Sequence, residues 1–428
     1  MKSVLFRKVH IIDATSPHHN QLKDVRIEDQ TIVELGDPGT LEIGSSEELH
    51  FPEGSCVSPG WVDSMVQLND PGFEYKESLD HLSTAAQKGG FTHVICTPNT
   101  SPVLDNSQIL HSLKSRTQFL PTEFHFCGSI TEQAQGVDLA EVYDMHQAGA
   151  VGFSDGSHPL PNGGIFLRAL QYTSSFKGLL IQSPADASLI GDGQMNEGNI
   201  ATQLGMPGIP ELAEIIPVRR DLELYAYEPG KVHFHPISSP KAMHALAQAK
   251  QSYADITIGT NLYYLILTDQ LLQEFDPVYK VFPPLRNENQ VTALKQALKN
   301  GDIDLLSSGH HAQGIEEKQV EFKNAEPGML GLQTFYPVAQ THLVDQDWLS
   351  LSDLIQTITG GPRKIFDLPS VSIQEGGGAD LTIFHPTGSF ELNQADIPSR
   401  AKNSPWLDTK LTGKVLGTYY KGKYQSSD

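Results

Sequence analysis

Basic residues are scarce in this chain of 428 residues. Thirty Lys and Arg stand against 51 Asp and Glu, a formal charge of −21. That balance argues against nucleic acid, because a phosphate backbone is held by a basic surface. It argues against an acidic membrane surface for the same reason. Cysteine is nearly absent: Cys56, Cys96 and Cys127 are the only three, and no two form a CxxC pair. A disulfide framework is thereby excluded, and a reducing cytoplasm is the expected setting. There is no run of 18 apolar residues to span a bilayer, and residues 1–7 hold too short an apolar stretch for a signal peptide. The phosphate loop GxxxxGK[ST], the GxSxG elbow and a GxGxxG after a strand are also missing. What is present is a globular composition, 39% hydrophobic and 19% charged, sufficient for a sizeable core.

Two textures alternate along the chain. Short strands are predicted at 4–12, 25–27 and 31–35, and again near the far end at 380–384 and 413–420, where the glycines at 376–378 mark a turn. Between them, apolar strands at 92–96, 123–127, 151–153, 179–181, 232–235, 255–258 and 304–306 interleave with amphipathic stretches. The helices are expected at 78–88, 106–118, 141–147, 209–221, 240–251 and 288–299. Repeated βα units imply a parallel sheet, and about eight of them imply a closed barrel. The reading is an α/β chain: a (β/α)8 TIM-like barrel over 57–365, with a small β-sandwich domain formed by both termini, 1–56 and 366–428.

Six stretches in order carry a family resemblance: "SPGWVDSMVQLNDPG" (58–72), "GGFTHVICTPNTSPVLD" (89–105), "LGMPGIPELAE" (204–214), "KVFPPLR" (280–286), "EPGMLGLQT" (326–334) and "GGGADLTIFHP" (376–386). Together they resemble the dihydroorotase family of cyclic amidohydrolases, from the first strands to the last. The resemblance implies a metal-bearing barrel with a terminal β-domain. It also implies reversible opening of the dihydroorotate ring to carbamoyl aspartate, with one or two zinc ions and an aspartate as proton shuttle. The metal matters because zinc lowers the pKa of bound water from 15.7 to about 7.

At the positions that the resemblance assigns to metal and catalysis, the residues differ in kind. The His-x-His pair of the first barrel strand corresponds to Met65 and Gln67, a soft thioether and a neutral amide. The next His corresponds to Ser183, or with a one-residue shift to Gln182. A further His corresponds to Pro236, which cannot ligate, and the catalytic Asp corresponds to Gly309. Asp155 is the single carboxylate left of an Asp-Asp-Gly. Among substrate contacts, an Arg that would grip a carboxylate corresponds to Asn69, an Asn to Phe282 and a His to Gln313; Asn99 alone is kept.

The expectation is therefore a dihydroorotase-like protein of pyrimidine synthesis without the family's catalytic residues and without zinc. It would act as a structural or regulatory partner, for example of aspartate transcarbamoylase, and form a homo-oligomer such as a homodimer. The alternative is an active cyclic amidohydrolase with a displaced metal drawing on His158, His235, His310 or His311, or with an altered substrate; only then would Asp155 be catalytic. Isolated histidines are more often hydrogen-bonded loop residues. Asp155 also suits a Ser-Asp-Gly turn, and Asn99 suits either a vestigial ligand contact or an Asx turn. Tyr263 and Tyr264 are expected to fill space, and the three cysteines to pack in the core.

Overall fold

The structure, a computed structural model, describes residues 3–427. The chain starts in a β-domain: β1 (Ser3–Ile11), β2 (Leu22–Glu28), β3 (Thr31–Gly36), β4 (Glu47–His50) and β5 (Cys56–Pro59). The barrel follows, with β6 (Trp61–Val66), β7 (Phe91–Cys96), β8 (Glu123–Gly128), β9 (Gly152–Phe153) and β10 (Leu179–Gln182). A two-stranded ribbon, β11 (Met195–Asn196) with β12 (Gly208–Ile209), interrupts it. β13 (Lys231–Phe234), β14 (Ile256–Asn261) and β15 (Leu305–Ser307) complete it. The chain then returns to the first domain with β16 (Leu381–Glu391), β17 (Lys410–Tyr420) and β18 (Lys423–Ser426).

The barrel strands are parallel and ordered β6-β7-β8-β9-β10-β13-β14-β15, with helices between them, as the βα alternation predicts. Side chains and backbone close the gap from β15 back to β6. Asp63 on β6 accepts hydrogen bonds from the backbone N–H (2.8 Å) and the hydroxyl of Ser308, and Gln67 N–H donates to His310 O at 3.0 Å. Burial raises the Asp63 pKa to about 6 against these bonds.

The terminal strands hydrogen-bond into one sheet, ordered β18-β17-β16-β5-β1-β2-β3 with β4 on β1. It covers its own core of Val4, Phe6, Val25, Ile27, Leu381 and Ile383. The sheet keeps β5 through Pro59, and the barrel begins at Trp61, whose ring packs on Phe91, Tyr336 and Phe384 and so joins the two layers.

Local chemistry explains most helix boundaries. Ser78, Asn106, Ser239 and Asn287 each accept a backbone N–H at the start of a helix, at Leu79–Lys88, Ser107–Thr117, Pro240–Lys250 and Glu288–Lys299. The helix expected at 209–221 is displaced, running from Leu212 to Tyr227, because Gly208 and Ile209 are taken up by the ribbon with Met195 and Asn196. A helix at Gly163–Ser174, capped by Asn162, fills a stretch for which the sequence reading assigned nothing. Among the described residues no helix is long and apolar enough to cross a membrane.

Candidate functional site

The C-terminal ends of the barrel strands surround a cavity of about 270 Å³. This is the end at which (β/α)8 barrels carry their sites. Met65, Gln67, Ser183, Pro236 and Gly309, which lie up to 244 positions apart in sequence, all line it. Thr97, His235, Asn261, Tyr263, Phe282, His310 and His311 line it too.

Each wall residue is held by its own strand end. The β6–β7 register shifts between Asp63 and Val66, and Met65 in that bulge has a left-handed φ of 58°. Gln67 is spanned on both sides: its amide N–H groups donate to Leu68 O (3.3 Å) and Asn99 O (3.2 Å), and its oxygen accepts from Thr97 Oγ1 at 3.2 Å. After β10, Ser183 faces the mouth and donates to His235 O at 2.8 Å. Gln182 turns away to Asp221 at 2.6 Å, so Ser183 is the residue at the site. Pro236 follows His235 through a cis peptide bond.

Gly309 has φ 64°, and a side chain there has no room. A Cβ would stand 2.3 Å from Tyr263 Cε1 and 2.8 Å from Asn261 Cγ. Those two side chains are tied together, with Asn261 Nδ2 donating to Tyr263 Oη at 2.7 Å, and Asn261 Oδ1 accepting from Ser307 Oγ at 2.6 Å. Tyr264 beside them is fully buried and donates to Pro283 O at 2.6 Å.

The histidines split. His310 is buried, with Nε2 2.9 Å from Glu77 Oε2 while its Nδ1 accepts from Gly331 and Leu332 N–H; that pattern assigns the proton to Nε2. His311 contacts Gln313 Nε2 at 3.1 Å, and burial pushes its pKa down to about 3. His235 lies 3.3 Å from Ser307 Oγ through Nε2, and burial likewise lowers it to about 3. Its Nδ1 is unpartnered, as is Nε2 of His233, and a methyl at Gly259 would stand 2.6 and 2.8 Å from them. His158 is exposed and does not line the cavity; its Nδ1 lies 3.2 Å from Asn99 Nδ2.

Asp155 and Asn99 also stand behind the mouth, not on its wall. Asp155 is buried and accepts from Ser129 Oγ (2.8 Å), Ile130 N (2.8 Å), Thr131 N (3.0 Å) and Thr131 Oγ1, which pins the loop after β8. Asn99 grips the segment that follows Asp155, donating to Asp155 O at 2.9 Å and accepting from Ser157 N at 3.2 Å. Gly156 at φ 61° is required there, since a Cβ would fall 1.7 Å from Asn99 Oδ1. Asn69 is buried with Nδ2 unpartnered, and Gln313 bridges Lys76 (2.8 Å) to Pro327 O (2.8 Å). Glu77 and Asn261 are site residues that the sequence reading missed. Glu77 is 233 positions from His310, and no local pattern links them.

The donor set does not fit zinc. At the five positions of the mouth it consists of a thioether, a neutral amide, a hydroxyl, a proline and a glycine. Among the described residues no three His, Cys, Asp or Glu side chains converge to hold a metal ion. The three cysteines are buried, and burial raises Cys56 and Cys127 to about 12, which leaves them unreactive.

The comparisons with known proteins agree with the fold. The sequence model described as Dihydro-orotase-like matches residues 54–239. A dihydroorotase of Syntrophotalea carbinolica is 38% identical over 408 residues, covering 95% of each chain. One of Acetivibrio thermocellus is 34% identical over 98% of each. The solved L-hydantoinase (dihydropyrimidinase) of Arthrobacter aurescens superposes with a TM-score of 0.85 at 23% identity, over 100% of this chain and 96% of that one, which speaks for the fold alone. With the barrel, the terminal sheet and relatives similar along almost the whole length all in agreement, the chain belongs to the dihydroorotase family of the cyclic amidohydrolases.

Proposed function

We propose that this protein serves pyrimidine synthesis without opening the dihydroorotate ring itself, as a structural or regulatory partner of a pathway enzyme, for example aspartate transcarbamoylase. In this reading it works as a homo-oligomer, a homodimer, in the cytoplasm. One observation carries the proposal. Five residues at a single barrel mouth, Met65, Gln67, Ser183, Pro236 and Gly309, offer no carboxylate or imidazole, and the room for a carboxylate at Gly309 is filled by Tyr263 and Asn261. An unactivated water is a poor nucleophile toward an amide, and nothing at these positions replaces the missing base.

A second reading has support of another kind. Relatives that carry the name dihydroorotase are 33–38% identical along nearly the full chain, and His235, His310 and His311 do reach the mouth. That support favours an active cyclic amidohydrolase, with a displaced metal or an altered substrate. The kinship with the relatives favours this second reading; the chemistry of the wall favours the first. Turnover of dihydroorotate in both directions, with and without added zinc, separates them. No rate above a protein-free blank is the expected result, followed by co-purification with aspartate transcarbamoylase. A zinc-dependent rate lost in His235→Ala or His311→Ala would replace the first reading with the second.

A further inference from the structure

The helix Leu212–Tyr227 lies on the outside of the barrel and packs on both neighbouring helices, Gly163–Ser174 and Pro240–Lys250. Its inward face is buried through Ala213, Ile215, Val218 and Tyr225. Its outward face is not the polar face that a barrel helix turns to water. Leu212 is 53% exposed, Ile216 44% and Tyr227 75%; among the described residues no other helix exposes more than one large apolar side chain. Arg219 and Glu223 stand between them, both exposed. Neither makes an ion pair with any described residue, whereas the next residue, Arg220, is bound to Asp221 at 2.8 Å. Arg followed by Glu four residues on is also the weaker order for a pair within one helix. The flanking helices turn polar residues outward, Arg168 and Gln171 on one side and His244 and Gln248 on the other.

The exposed residues Leu212, Ile216, Arg219, Glu223 and Ala226 alternate between steps of four and three, the spacing of a seam along which one helix packs on a second. This seam is complementary to itself. When two copies lie antiparallel about a two-fold axis level with residue 221, Arg219 faces Glu223 of the partner subunit, and the axis repeats the pair. Ile216 then faces Ala226 of the partner subunit, a residue small enough to let the helices approach. Leu212 comes to the end at which Tyr227 of the partner subunit stands, apolar against apolar. A parallel pairing would instead set like charges against each other, which is costly at an interface. We infer that the outward face of this helix is an isologous interface for a second copy of the chain, and that Arg219 and Glu223 fix its antiparallel register. The polar residues of the flanking helices form the rim of that interface. The inference rests on the homodimer of the proposed function and supplies its surface.

Sedimentation of the purified full chain at micromolar concentrations tests the inference, and a dimer is expected. Glu223→Arg brings like charges face to face twice and is expected to raise the dimer dissociation constant at least about tenfold. The double variant Arg219→Glu/Glu223→Arg exchanges the charges on both copies and is expected to restore the wild-type constant, a rescue that simple damage to the helix would not give. The double variant Ile216→Cys/Ala226→Cys, in a chain whose own three cysteines are buried, is expected to form a covalent dimer on mild oxidation; it decides the matter if a charge variant fails to fold. A monomeric wild type, a dimer indifferent to Glu223→Arg, or a weakened dimer that the exchange does not restore overturns the inference. The failures are distinguishable: a dimer that ignores the charge variants leaves the homodimer standing with another interface, and the turnover assay tests the non-hydrolytic reading independently of either.

Discussion

At the scale of single residues, Gly309 decides more than any other position at the mouth. Its left-handed backbone and the 2.3 Å approach of Tyr263 mean that an aspartate cannot simply be put back. Gly309→Asp is expected to lower stability by about 1–3 kcal/mol through overpacking and to give no dihydroorotate turnover. Thermal denaturation and an activity assay of the variant check both; a stable variant that gains activity would show that Tyr263 and Asn261 yield easily. Of the two residues that the sequence allowed, Ser183 stands at the site, and Gln182 is held away by its bond to Asp221. Asp155 and Asn99 were legible as polar residues in a loop. Their partners, Ser129 to Thr131 and Ser157, come from strand ends that only the fold brings together.

At the scale of elements, the motifs "LGMPGIPELAE" and "KVFPPLR" turn out to be two halves of one device. Arg286 is 1% exposed and pairs with Glu214 at 3.0 Å, with Asn196 Oδ1 at 2.9 Å and with Ser238 Oγ at 3.1 Å. It thereby ties the β11 ribbon and the helix Leu212–Tyr227 to the segment after β13. Arg286→Leu leaves Glu214 buried without its cation and is expected to cost about 3–5 kcal/mol. Urea denaturation measures this, and the double variant Arg286→Leu/Glu214→Leu should recover part of it. Loss of less than 1 kcal/mol in the single variant would mean that Glu214 is satisfied by the Ser238 and Ser239 N–H groups alone. Capped helices and apolar strands were readable because caps and periodicity are local. The helix Leu212–Tyr227 was misplaced because its first residues found a strand partner instead.

At the scale of the whole molecule, buried imidazoles set the response to acid. His125, His235 and His311 each titrate near 3 in the folded protein, against 6.5 for an unburied histidine, and burial is the leading cause in each. The unfolded chain therefore binds more protons between these values. The stability is complete above pH 6.5 and is lost as pH falls toward 3. From pH 7 to pH 5 each imidazole takes away on the order of 2 kcal/mol. Asp63, raised to about 6, acts in the opposite sense and offsets part of one of them. Denaturation midpoints at pH 7, 6 and 5 should fall steadily, and less steeply in His311→Gln; a profile that is flat across this range would contradict the burial assigned to these rings.

The sequence by itself determined the barrel, the terminal β-domain and the family, because strand and helix periodicity are local and the six motifs run along the whole chain. It also determined the chemical kind of each residue at the mouth. Only the tertiary structure decided that Met65, Gln67, Ser183, Pro236 and Gly309 share one cavity, that Asp155 and His158 lie off its wall, and that among the described residues no Asp, Glu, Lys or Arg lines it. Those facts depend on how strand ends far apart in the chain meet around the barrel, and no window of sequence contains that distance.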